Sequence, residues 1–169
     1  MRPADITSDL TTDILRTLVR YCPETGKFFW LVSNNQCTLG SEAGSIENTK
    51  YIRITVRGRR YQAHRLAWLY MTGGWPKARI DHRDLDRKNN KWSNLREADD
   101  SKNRANTRAR PDNKLNIKGV GLHVCGKYQA RIFKDNKFCH LGLFDTAQEA
   151  SAAYAKAAEE VFGEFARIK

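Results

Sequence analysis

The chain has 169 residues, 40% of them hydrophobic, and a formal net charge of +11, so it can hold one ordinary domain or two very small ones, and two small modules are expected. No apolar run could span a bilayer and the opening MRPADITSDLTTD lacks a signal peptide's apolar stretch, which excludes membrane-embedded and exported classes and leaves a soluble, cytoplasmic (intracellular) protein as the expectation. The charge is uneven, since residues 50–110 hold 17 Lys and Arg against 6 Asp and Glu; such a density points to a polyanion such as double-stranded DNA, with a merely solvated basic surface as the alternative.

In chain order, Thr11 is placed to cap a short helix in which Ile14, Leu15, Leu18 and Val19 share a face and Asp13 stands in the first turn. The tetrapeptide Pro23-Glu24-Thr25-Gly26 reads as a turn into a strand over residues 28–32. Ile52, Ile54 and Val56 alternate with Arg53, Thr55 and Arg57 before a turn at Gly58, which predicts a hairpin with one basic face. A helix is expected from Ala63 to Met71, with Leu66, Ala67 and Tyr70 at core spacing, ended by Gly73-Gly74-Trp75-Pro76.

From Asp99 to Lys114 apolar residues give way to Lys, Arg, Asn and Asp, which marks the module boundary. The modules are read as residues 1–110 and 117–169 with a linker at 111–116; a helix from Asp100 to about Arg108 is broken by Pro111-Asp112-Asn113. Two or three short strand-like runs are read over 118–124, 127–133 and 137–142, separated by Gly126 and Asp135-Asn136. A helix capped by Asp145 or Thr146 follows, with Glu149 in its first turns, Ala150, Tyr154, Ala157 and Val161 on one face, and Gly163 as its stop. Cys22, Cys37, Cys125 and Cys139 form no Cys-x-x-Cys pair, so free, mostly buried thiols are expected rather than a zinc knuckle or a disulfide framework.

The segment IDHRDLDRKNNKWSNLREADDSKNRANT, residues 80–107, gathers an Asp-His pair and two spaced asparagines. Asp81-His82 follows Ile80 as at a strand end; Asn94 lies further along the segment and Asn103 falls in the expected helix. Taken alone, one histidine beside one aspartate also describes a buried structural histidine.

HRLAWLYMTGGWP, IDHRDLDRKNN and NLREADDSKN resemble the recurring segments of the phage-type HNH homing endonucleases. That resemblance implies an α+β module of the ββα-metal (HNH, His-Me finger) kind and a hydrolase that cuts DNA phosphodiesters with a divalent metal. It assigns His82 as general base, Asn94 as the residue orienting it, and Asp81 and Asn103 as metal ligands. Two oxygen donors favour Mg²⁺ or Mn²⁺ over zinc. The last motif position is His in histidine-rich relatives and Asn103 here, and Thr107 stands where some have another histidine. Asp84, Asp86, Asn89 and Asn90 are read as shaping the loop between strands. His64 is read as structural before phosphate-contacting, and Arg65, Arg79, Arg83, Arg87 and Lys88 as candidate phosphate clamps.

KGV, GKYQARI, HLGLFDTAQEAS and AYAKAA resemble the Apetala-two/ethylene-response-factor DNA-binding domain. That resemblance implies a three-stranded antiparallel sheet packed on one helix, its outer face laid in the major groove. Strand alternation turns Tyr128, Ala130 and Ile132 toward the helix and Lys127, Gln129, Arg131 and Phe133 outward. Matching the family's contact positions puts Lys118, Gly121, His123, Cys125, Lys127, Arg131, Phe133 and His140 on the reading face, and Gln129 joins the expected DNA-binding set. The expectation is site-directed cleavage of double-stranded DNA, as by a phage or prophage homing endonuclease, with no membrane and no small-molecule cofactor. A DNA-binding protein that has lost cleavage is the alternative.

Overall fold

The computed structural model describes residues 10–134 and 137–168; the expected Asp135-Asn136 separator and residues 1–9 of the opening stretch lie outside the described residues. The chain divides into two compact units, Met1–Glu97 and Ala98–Lys169.

In the first unit α1, Thr12–Leu18, starts where the Thr11 hydroxyl accepts from the Ile14 amide at 3.3 Å. Val19 leaves the helix for β1, Val19–Cys22, which pairs antiparallel with β2, Lys27–Trp30, across the Pro23–Gly26 turn. The helix therefore ends one residue short of the expected apolar face, since Val19 is extended and packs from a strand. Two short strands follow, β3 at Glu42–Ala43 beside β2 and β4 at Ser45–Ile46 beside β5. The hairpin of β5, Ile52–Val56, and β6, Arg59–Gln62, turns on Arg57 and Gly58. Both have positive φ, 51° and 76°, which matches the twist of a two-residue turn.

Helix α2, Ala63–Thr72, closes on Gly73 at φ 81°. It buries Ala63, His64, Leu66, Ala67 and Leu69 in the unit's main core, with Leu15, Val19, Phe28, Ile54 and Val56. β7, Arg79–His82, and β8, Leu95–Ala98, form a two-stranded sheet, with a 3₁₀ turn at Trp92–Asn94 leading into β8. The Glu97 carboxylate accepts from the Lys77 and Ala78 amides, at 2.7 and 3.3 Å, and fixes the entry to β7.

The second unit begins with α3, Asp100–Ala105, whose Asp99 cap accepts from the Lys102 amide at 2.8 Å. The helix is shorter than the expected span to Arg108. Its sheet has the order β11-β10-β9, with β9 at Val120–Leu122, β10 at Tyr128–Lys134 and β11 at Lys137–Phe144. A bulge between Ala130 and Arg131 shifts the β10–β11 register. α4, Ala147–Phe162, carries a capping box in which the Thr146 hydroxyl accepts from the Glu149 amide and the Glu149 carboxylate from the Thr146 amide, both at 3.2 Å. Val120, Ala130 and Ile132 of the sheet and Ala150, Tyr154 and Ala158 of the helix form its core, with Tyr128 half-buried at its edge. Gly119 permits this close packing, because a Cβ there would lie 2.1 Å from the Tyr154 ring. The fold class is thus α+β with antiparallel sheets, as the sequence implied.

The compact units meet at Glu97 and Ala98, upstream of the boundary at 110 suggested by composition. The reason is packing: Ala98 and Ala105 are buried with Phe165, and Phe162 packs beside them. The thiols correct another expectation, since Cys22 and Cys37 are half-buried and Cys125 and Cys139 exposed.

Candidate active site

β7 ends in Asp81 and His82, both about 4% exposed, so an acid and an imidazole are sequestered at a strand terminus. The pairing of β7 with β8 holds them. On the β8 side, Arg96 lays its guanidinium on Asp81, with Nε and Nη2 each 3.0 Å from Oδ2. Both members are almost wholly buried, so the carboxylate is fixed in direction by a desolvated partner.

The loop from residue 83 to 91 is wound by its own polar side chains. Asp84 Oδ1 accepts from the Asp86 amide at 2.8 Å, Asp86 Oδ1 from the Lys88 amide at 3.0 Å, and Asp84 Oδ2 from Asn89 Nδ2 at 2.6 Å. Asn94 ties both ends together, donating to Asp84 Oδ1 at 2.9 Å and the Asn89 carbonyl at 2.8 Å while accepting from the Asp84 amide at 3.1 Å. Burial works to raise the Asp84 carboxyl, but the Asn89 and Asn94 donors and the Asp86 amide outweigh it and hold its pKa below the usual value. The loop-shaping role read for Asp84, Asp86 and Asn89 matches these bonds.

Asn90 departs from that reading. It is 1% exposed, and its Oδ1 lies 3.2 Å from His82 Nε2 while its Nδ2 donates to the Lys88 carbonyl at 3.3 Å. Because the carboxamide donors face Lys88, its oxygen faces the ring. His82 Nε2 then carries the proton and Nδ1 is the unprotonated nitrogen. Asn94, expected to orient His82 through its side chain or its main-chain carbonyl, has its side chain on Asp84 and Asn89, and its carbonyl accepts from the Arg83 amide at 3.0 Å. The side chain that orients the imidazole is Asn90.

Asn90 is itself braced from the N-terminal hairpin. Its carbonyl accepts from the buried Tyr21 hydroxyl at 2.7 Å, and the Trp92 amide donates to the Pro23 carbonyl at 3.0 Å. Gly26, at φ 74°, lies so close that a Cβ would stand 2.4 Å from the Asn90 carbonyl carbon and the Lys91 nitrogen. The turn predicted at Pro23–Gly26 therefore supports the site. Its glycine was the visible signal, but not what it pressed against.

Two rings stand beside His82. His64 meets His82 edge to face, with centroids 5.1 Å apart, and Tyr51 lies 5.2 Å from His64 and 6.1 Å from His82. Burial, seconded by His82 and Arg65, pushes His64 down to about 3, so it is neutral. Its Nδ1 has no hydrogen-bond partner. Burial also holds His82 below the usual imidazole value, against the opposing pull of Asn90 and of Asp84, Asp81 and Asp86. The His82 imidazole is thus neutral at neutral pH. Arg87 lies over the Tyr51 ring at 4.8 Å and donates to the Thr49 carbonyl at 3.1 Å, which anchors one expected phosphate clamp beside the site.

The second expected metal ligand, Asn103, stands on α3 in the second unit. Among the described residues no group of three or more His, Cys, Asp or Glu could hold a metal.

On the outer face of the second unit's sheet, Gln129 Nε2 lies 3.0 Å from His140 Nδ1, and Arg131 stacks over Phe138 at 4.9 Å. Phe133 and Phe138 meet edge to face at 4.8 Å. Lys127 pairs with Asp145 at 2.9 Å, and His123 Nδ1 lies 3.0 Å from Cys125 Sγ in the β9–β10 turn. Lys118 Nζ turns to the end of α3, donating to the carbonyls of Arg104 at 3.2 Å, Ala105, and Thr107 at 2.7 Å.

Residues 61–105 match the family model described as HNH endonuclease. Over 44 residues, 25% of this chain and 10% of the relative, the chain is 48% identical to APETALA2-like protein 2 of Oryza sativa subsp. indica. It is 39% identical over 61 residues, 34% of this chain and 18% of the relative, to dehydration-responsive element-binding protein 2A of Arabidopsis thaliana. The chain thus spans between a tenth and a fifth of the length of these curated relatives. Among solved structures it is similar to one described as DNA binding and cleavage by the HNH homing endonuclease I-HmuI, at 25% identity and a TM-score of 0.38, covering 48% of this chain and 47% of that one. Among the described residues no helix is long and apolar enough to cross a membrane.

Proposed function

We propose that the protein is a metal-dependent, site-directed endonuclease acting on double-stranded DNA, of the kind encoded by phages or prophages as homing endonucleases. The observation that carries this reading is the buried, neutral His82, held by Asn90 at Nε2 next to Asp81, inside the segment that matches the HNH endonucleases. Hydrolysis of a phosphodiester needs a neutral, oriented base of this kind, and the match of the surrounding segment to the HNH endonucleases favours that role over a structural histidine.

In this reading His82 Nδ1 accepts a proton from water as the water oxygen attacks phosphorus, the bond to the 3′-oxygen breaks, and that oxygen leaves with a proton from solvent. Asn90 keeps Nε2–H directed away from the reacting side and stabilises the imidazolium that forms. Asp81, aimed by Arg96, and Asn103 are the residues that would hold the divalent ion. When bound, that ion supplies charge neutralisation for the phosphate and the leaving oxygen. Arg83, Arg87 and Lys88 would contact backbone phosphates, which position the duplex without reading sequence.

Residues 117–169 would act as an Apetala-two-like reader, with Gln129, Arg131 and His140 on its outer face, Lys127 and His123 at its edge, and residues 111–116 as the tether. The Phe133–Phe138 pair would give this face an apolar centre suited to thymine methyl groups. The deciding experiment incubates the purified protein with supercoiled plasmid and Mg²⁺, Mn²⁺ or EDTA, beside the His82→Ala variant. Metal-dependent nicking that vanishes in the variant, with gel-shift affinity unchanged, is the expected result. Retardation without cutting on any DNA tried, including DNA of host origin, would establish a binding protein instead.

A further inference from the structure

Helix α3 carries Asn103, yet it is built into the second unit, Ala98–Lys169. Six residues cannot hold a helix by themselves, because the cost of nucleation exceeds the gain of so few hydrogen bonds. What holds it is visible at each end. The Asp99 carboxylate accepts from the Lys102 amide at the start. At the other end Lys118 Nζ donates to the carbonyls of Arg104 and Ala105, the last two residues of the helix, and of Thr107 just beyond it, while the Arg104 carbonyl also accepts from the Thr107 amide at 3.1 Å. The Ala105 carbonyl also accepts from the Arg167 amide at 3.3 Å. Side chains complete the seal, with Ala98 and Ala105 buried against Phe165, and Lys102 over the Phe165 ring at 5.4 Å. Arg104 extends over Phe133, on the outer face of β10, at 5.4 Å.

We propose that Lys118 is a positioning residue, not a DNA contact: by capping the C-terminus of α3 it fixes Asn103 relative to the reading sheet. Three carbonyls fill its three donors, and burial, seconded by Arg167, lowers its pKa to about 8, as for an ammonium withdrawn from solvent. An ammonium committed in this way has no donor left for a phosphate. The Arg104 stack gives the same helix a hold on the face that would meet DNA. The proposal rests on the nuclease reading only in giving Asn103 its task; the clamp itself does not.

The test compares wild-type full chain with Lys118→Met and Lys118→Arg in three assays: kcat and KM for plasmid nicking, DNA affinity as a function of salt, and amide exchange of residues 103–107. Lys118→Met is expected to lower kcat at least tenfold, leave KM, affinity and salt slope unchanged, and speed exchange across 103–107; Lys118→Arg, which keeps donors for the carbonyls, recovers part of each loss. A salt slope shallower by about one, with affinity falling in step, marks a lost phosphate contact and overturns the proposal. So does unchanged exchange across 103–107. If Lys118→Met loses protection in α4 as well, the milder Lys118→Gln carries the same comparison. A wild type that never cuts DNA would refute the nuclease reading, while the exchange arm would still decide the clamp.

Discussion

Replacing His64 by Phe should flatten the acid side of the first unit's stability curve. His64 is neutral in the fold, with its pKa lowered to about 3 from an ordinary 6.5. Above pH 6.5 both folded and unfolded chains hold it neutral and its contribution is fully present. As pH falls below 6.5 the unfolded chain takes up a proton that the fold refuses, so stability declines until about pH 3. Between about pH 7.5 and about pH 5 the linkage amounts to roughly 2 kcal/mol. A Phe ring keeps the packing against Tyr51 and His82 and removes both the titration and the unpartnered buried Nδ1. The variant should therefore be at least as stable as wild type near pH 7.5 and gain about 2 kcal/mol on it by pH 5. Urea unfolding followed by tryptophan fluorescence is the assay, because Trp30, Trp68, Trp75 and Trp92 all lie in the first unit. Parallel stability curves for the two proteins across this pH range would refute the reasoning.

Gly26→Ala should cost at least about 1–2 kcal/mol, from its positive φ and from a Cβ driven into the Asn90–Lys91 backbone, and should lower kcat more than DNA affinity because Asn90 moves with it. Arg96→Met takes the guanidinium away from the buried Asp81 carboxylate and should destabilise by about 3–5 kcal/mol in urea unfolding, whereas the double change with Asp81→Leu should recover much of that stability and none of the cleavage. Gly119→Ala drives a Cβ into the Tyr154 ring and should weaken DNA binding in gel shifts while the tryptophan-monitored transition stays in place. Titrating EDTA into a plasmid assay should abolish nicking and leave retardation intact, and nicking that survives excess chelator would remove Asp81 and Asn103 from the proposed mechanism.

What the sequence revealed and what it hid divide along a physical line. Local signals were readable: the Thr11 and Thr146 caps, the Arg57-Gly58 turn and the alternation that buries Ala130 and Ile132 all depend on near neighbours. The Asp81-His82 pair was visible as a motif. Asn90 was not separable from the other polar residues of its loop, because its task is set by Tyr21 and Gly26, far away in the chain. Arg96 looked like one more basic residue until its partner across the sheet was known. The carbonyl partners of Lys118 were hidden for a related reason, since they stand on a helix end eleven or more residues away. Polar residues acting over long sequence separations leave no period behind.

The placement of α3 has a practical bearing on chimeras. An engineer guided by composition would cut in the polar stretch near residue 110 and graft a foreign reader there. That junction separates Ala105 from Phe165 and strands the carbonyls that Lys118 takes, leaving a six-residue helix without support. A splice after Glu97 transfers the helix together with its lysine and its aromatic lid. Under the proposed function, retargeting is then an exchange of reader and helix together, and the graft has to bring its own counterpart of Asn103.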